Sequence, residues 1–134
     1  MTDSIQKTLC PDDERMDFLP RFTGKHFLRY EQLVYAGMNK FCADYSGGFW
    51  NYYTLSNGGF FMALDDDRRF AVECHGNYYA GEMSVEAASI GVNLYVQNAF
   101  AWEVDAERFS RAFHQLRDFA AEHPEGREIM AFID

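Results

Sequence analysis

The run from Gly47 to Leu64 limits the possible folds more than any other part of the chain. Phe49 to Leu55 (Phe-Trp-Asn-Tyr-Tyr-Thr-Leu) is aromatic and β-branched, the composition that suits a pleated, half-buried surface. Ser56-Asn57-Gly58-Gly59 is turn chemistry, because Asn and Gly accept the positive φ that tight hairpins require. Phe60 to Leu64 then returns as a second strand. A further pair follows at once: Phe70 to Cys74 alternates apolar with polar, Gly76-Asn77 turns, and Tyr78 to Met83 comes back. The spacing predicts a four-stranded antiparallel meander. The flanking sequence has helical periodicity, so the expected class is α+β, a sheet covered by several α-helices.

The 134 residues fit one domain, 1–134, with Met1 to Cys10 as a loose lead-in. Pro11-Asp12-Asp13-Glu14 opens a short helix that Pro20 is expected to cut off, and Thr23-Gly24 is a second break. From about His26 to Tyr45, the residues Tyr30, Leu33, Val34, Met38, Phe41, Cys42 and Tyr45 fall on one helical face. Gly37 in its middle suggests a close approach to the sheet. Ser84 reads as an N-cap for a helix over Val85 to Glu103, apolar around most of its circumference and therefore central. Asp105 caps the next helix, whose stripe is Phe109, Ala112, Phe113, Leu116, Phe119 and Ala120, and Pro124 stops it. Residues 127–133 fit a terminal helical turn or an edge strand equally well.

Few chemistries are compatible with this sequence. There is no Gly-x-Ser-x-Gly, and the serines at 46 and 56 sit in glycine turns. His26, His75, His114 and His123 lack metal-ligand spacing. Asp65-Asp66-Asp67 lacks the pattern of a calcium loop. Gly47-Gly48 and Gly58-Gly59 are not phosphate loops, so no cofactor is expected and no catalytic or metal-binding residue is assigned. Cys10, Cys42 and Cys74 do not form a disulfide framework, which suits a reducing cytoplasm. No apolar run approaches a membrane span. Trp50, Tyr52, Tyr78 and Tyr79 are candidates for an aromatic patch, with core as the default for those facing the helices.

The net charge of −9 is unevenly distributed, since residues 41–107 carry ten acids against only Arg68 and Arg69. Such a segment is poorly suited to binding nucleic acid, where phosphate neutralisation dominates affinity. It suits a basic protein partner, and the candidate contacts are Asp65, Asp66, Asp67, Glu73, Glu82 and Glu86. Full mimicry of a DNA duplex is not expected. The carboxylates are too scattered to copy one charge per about 1.7 Å.

Four segments together resemble the ArdB/KlcA antirestriction family: Met16-Asp17-Phe18-Leu19-Pro20, Tyr45-Ser46-Gly47-Gly48-Phe49-Trp50, Leu55-Ser56-Asn57-Gly58-Gly59-Phe60-Phe61-Met62-Ala63 and Gly81-Glu82-Met83-Ser84. The resemblance spans nearly the whole chain. It implies a protein of mobile DNA that protects incoming DNA from type I restriction-modification complexes, directly or indirectly, on an α+β fold. The family has no established catalytic residues, so none are carried over. A small-molecule-binding domain or enzyme on the same scaffold is the alternative.

Overall fold

A computed structural model describes residues 4–134. The strands are β1 (Lys7–Leu9), β2 (Trp50–Leu55), β3 (Phe60–Leu64), β4 (Arg69–Cys74) and β5 (Tyr79–Ser84). The helices are α1 (Arg15–Thr23), α2 (Phe27–Phe41), α3 (Val85–Glu103), α4 (Ala106–Glu122) and α5 (Gly126–Ile133). The α+β class and both expected hairpins are present. The strands, however, form two sheets rather than one meander, with order β1-β2-β3 in one and β4-β5 in the other.

The β2–β3 hairpin has the expected turn. Asn57 Oδ1 accepts from Gly59 N at 3.1 Å, and Leu55 N donates to Gly59 O at 2.8 Å. Asn57 and Gln115 then exchange reciprocal side-chain-to-carbonyl bonds of 2.9 Å, which fasten the turn to α4. All of β3 is buried. Phe60 packs against Phe18, Phe22 and Tyr30, and Phe61 stacks on Phe119. This double-sided burial explains the unbroken apolar run.

The meander fails to form because a helix, not a strand, covers the outer edge of β3. Leu64 N donates to Ser89 Oγ at 3.2 Å, and Met62 N to Asn93 Oδ1 at 3.2 Å. Asn93 Nδ2 donates to Met62 O at 2.7 Å, and Gln97 Nε2 to Phe60 O at 3.1 Å. Four helical residues rise about 6 Å. Two strand residues advance about 6.6 Å. The side chains at 89, 93 and 97 therefore stay in step with residues 64, 62 and 60. Tyr30 joins the set, donating to Asn93 Oδ1 at 2.7 Å and accepting from Gln97 Nε2 at 3.1 Å. Ser89, Asn93 and Gln97 are fully buried.

α3 has the expected bounds and cap, with Ser84 Oγ accepting from Ala87 N at 3.1 Å. Its neighbours approach closely at two glycines. Val92 Cγ1 lies 2.8 Å from where a Cβ on Gly37 would stand, so the close approach of α2 is to α3 and not to the sheet. A Cβ on Gly91 would enter the Phe132 ring of α5.

Other expectations need correction. Within the lead-in expected to be loose, residues 1–3 lie outside those described, and Lys7–Leu9 is a strand paired with β2. α1 runs through Pro20 to Thr23. The proline withholds the N–H that the Met16 carbonyl would receive, and Met16 is 91% exposed, where water can serve instead. α2 ends at Phe41 because Cys42 turns extended, so Tyr45 packs edge-on against Trp50 from the loop. Residues 127–133 are helical, as part of α5. The four aromatics do not form one patch: Trp50 and Tyr52 are core, Tyr79 is half-buried and Tyr78 is exposed. Among the described residues no helix is long and apolar enough to cross a membrane.

Asn93→Leu keeps the bulk but strands both backbone groups of Met62 and leaves the Tyr30 hydroxyl proton without its acceptor. Each orphaned buried group costs about 1–3 kcal/mol, so a loss of about 3 kcal/mol or more is expected. It is read as a lowered urea midpoint at unchanged m. A loss below about 1 kcal/mol would mean that the network contributes little.

Candidate functional site

The six predicted contact residues differ in how far their charge is engaged within the protein. Asp66 folds back on Arg68, accepting from its amide at 2.9 Å and from guanidinium Nε and Nη2 at 3.0 and 2.7 Å. Those bonds hold its carboxyl below the usual range. Asp65 and Asp67 are exposed and form no ion pair among the described residues. Glu82 on β5 pairs with Arg69 of β4 at 2.9 Å. Glu73 is also exposed, with His75 Nε2 at 3.8 Å, toward the tip of the β4–β5 hairpin. Glu86, in the first turn of α3, is bound by Lys7 and His123.

Three of the six (Asp66, Asp67 and Glu86) meet at a cleft of about 630 Å³. Its walls come from the N-terminal strand, the β3–β4 link, the start of α3 and the α4–α5 turn. Glu125 N donates to His123 Nδ1 at 3.0 Å, so Nδ1 is the bare nitrogen. His123 Nε2 therefore carries the proton and donates to Glu86 Oε2 at 2.9 Å. The Lys7 ammonium completes the set. The His123 hydrogen bond, joined by Lys7 and opposed by burial, pushes the Glu86 carboxyl down to about 2.

A second cluster adjoins the first. Glu125 accepts from Ser84 N at 2.9 Å and from Arg69 Nη1 at 3.3 Å, and it also accepts a hydrogen bond from the Ser84 hydroxyl. Burial works to raise the Glu125 carboxyl, but the Ser84 hydroxyl and amide and the Arg69 charge outweigh it, so it sits low. The turn His123-Pro124-Glu125 is thus stapled to the N-terminus of α3.

This arrangement holds chain segments together and is not set up for bond-making. Both ring nitrogens of His123 are engaged, and protonating Nδ1 would turn the Glu125 N–H against it. Ser84 Oγ is committed to Glu125 and to its cap. All three cysteines are buried. Burial, with Asp44 nearby, pushes the Cys42 thiol up to about 12. Among the described residues no three His, Cys, Asp or Glu side chains gather as a metal set.

Sequence reasoning missed Lys7, His123 and Glu125. Lys7 lay in a segment without periodicity, and the His-Pro-Glu turn carries no signal of its contact with a helix start dozens of residues away. The polar spacing at 89, 93 and 97 was a readable signal, since it recurs every four residues in an otherwise apolar helix.

Comparison with known proteins places this architecture. The family model described as antirestriction protein matches residues 43–134. The antirestriction protein KlcA of Escherichia coli is 42% identical over 137 residues, covering 97% of this chain and 94% of that protein. A second Escherichia coli KlcA is 39% identical over 135 residues, with 97% and 95% covered. One solved structure superposes with a TM-score of 0.91 at 39% identity, covering 100% of this chain and 99% of the other. It is reported as showing that the KlcA and ArdB proteins have a novel fold and antirestriction activity against type I DNA restriction systems in vivo but not in vitro.

The staple makes stability pH-dependent. The folded-state value of Glu86, about 2, lies below its ordinary 4.5, so its contribution is complete above about pH 4.5 and is lost as pH falls toward 2. Glu86→Gln should lower stability at neutral pH and flatten the loss between pH 4.5 and 2, as followed by urea melts across pH. Curves that stay parallel to wild type would remove Glu86 as the group responsible.

Proposed function

The chain belongs to the antirestriction protein family, and we propose that it protects incoming mobile DNA by inhibiting type I restriction-modification complexes without catalysing a reaction. The observation that carries this reading is the full-length fold match at 39% identity to proteins with that reported activity. The engaged state of Ser84 and His123 and the burial of the thiols support a non-catalytic role. Activity reported in vivo but not in vitro for those relatives favours inhibition that depends on a component or state of the restricting cell.

The place of action is the cytoplasm, where type I complexes meet entering DNA. The net charge of −9 argues against direct binding to that DNA. Of the six carboxylates, Asp66, Glu82 and Glu86 are occupied within the protein, while Asp65, Asp67 and Glu73 project outward. Asp65 and Asp67 on the β3–β4 link are the carriers of an acidic contact, steering approach to a basic protein surface. The cleft of about 630 Å³ is a feature that favours a small-molecule reading.

The test is the plating efficiency of unmodified phage on a host with an active type I system, with a matched host lacking it. Expression of the protein should restore plating only in the restricting host. Asp65→Lys with Asp67→Lys should weaken that recovery while the protein remains folded. Full recovery by the double variant would eliminate the acidic contact, and no recovery by wild type would eliminate the antirestriction reading.

A further inference from the structure

Two of the motifs singled out in the sequence converge on a surface that the cleft does not include. Met16 of α1 is 91% exposed and Phe49, just before β2, is 56% exposed. Arg15 joins the two segments. Its Cζ lies 4.4 Å from the Phe49 ring centre and 4.6 Å from that of Tyr52. Its Nη2 donates to Trp50 O at 2.7 Å. The guanidinium is therefore clamped between two aromatic side chains and fixed by a backbone carbonyl. Gly47 and Gly48, at φ 95° and 141°, deliver Phe49 to this position. A Cβ on Gly48 would come within 2.8 Å of Leu64 Cδ1.

The surroundings are acidic. Asp12, Asp13, Glu14 and Asp17 flank Arg15 and Met16 in sequence and are exposed. On the other side Asp65 N donates to Phe49 O at 2.8 Å, so the Asp65–Asp67 link borders the patch directly. An apolar and arginine centre with a charged rim is the anatomy of a protein-binding hot spot. Clamping the side chains beforehand lowers the ordering cost of binding.

We infer that Met16, Arg15 and Phe49 form the anchor of a protein-docking face whose occupant is a type I restriction subunit presenting an apolar pocket rimmed by Lys and Arg. This rests on the proposed function and supplies the apolar centre that the acidic link alone lacks. Charge complementarity selects the occupant, because a DNA-handling protein carries the basic surface that an acidic rim attracts. A nucleic acid strand is repelled by the same rim.

The test combines plating efficiency with in-cell photo-crosslinking. Met16→Asp changes an exposed side chain and should leave thermal unfolding nearly unchanged. Met16→Asp and Phe49→Asp should each lower phage recovery by about 10-fold or more, the loss expected at a hot spot. Met16→Leu and Phe49→Tyr should retain recovery. So should Trp102→Asp, which changes an aromatic residue that is 84% exposed on α3. A photoreactive residue at position 16 should crosslink to an epitope-tagged type I subunit, and one at position 102 should not. Folded Asp variants that protect fully, or equal loss from Trp102→Asp, would overturn the inference while the antirestriction reading stands. If an Asp variant melts early, the crosslink decides: a subunit band at 16 alone supports the face, and its absence overturns it. Failure of wild type to protect removes the reading and this face with it.

Discussion

A buried strand edge has to find hydrogen-bond partners, and in this protein a helix supplies them. β3 is covered on both faces and paired on one edge by β2. Its other edge meets Ser89, Asn93 and Gln97, spaced so that helix rise matches strand advance. Asn93 uses all four of its bonding positions, to Tyr30, to both backbone groups of Met62 and to the Ser89 carbonyl. Because α3 occupies that edge, β4 and β5 are excluded from it and form a separate ribbon. The two glycine contacts, Gly37 to Val92 and Gly91 to Phe132, set α2 and α5 against the same helix. The arrangement of layers follows from where α3 must lie.

Much of this was legible in the sequence where the determining interaction is local. The Asn57-Gly58-Gly59 turn, the Ser84 and Asp105 caps and the span of α3 follow from short-range chemistry, and each stands as expected. The errors arose where a distant partner decides. β1 is three exposed residues whose only definition is pairing with β2. α1 passes through Pro20 because packing of Phe18, Leu19 and Thr23 outweighs one lost bond. The break between β3 and β4 was invisible to strand spacing, since spacing reports strands and not which edges are already taken.

The candidate site shows the same limit in electrostatic form. Counting carboxylates located the acidic segment but gave equal weight to residues with very different roles. Asp66, Glu82 and Glu86 are paired with Arg68, Arg69, Lys7 and His123, and of these Glu86 ties separate chain segments together. Asp65 and Asp67 keep theirs at the surface. In the cleft of about 630 Å³, Lys7, Asp66, Arg68, Glu86 and His123 are committed to one another. In this member of the antirestriction family the paired carboxylates are taken up inside the protein, and the unpaired ones lie outside.

The helix-capped edge of β3 has one more consequence. Phe60-Phe61-Met62-Ala63-Leu64 has no charge and no proline, the type of segment that stacks into intermolecular β-structure when its edge is open. In the native protein that edge is closed by side chains, with no neighbouring strand to do it. The polar stripe of α3 therefore acts as a guard against self-association, sealing the most adhesive stretch of the chain. When the stripe is lost, the expected fate is insoluble protein, with the aggregates growing outward from β3.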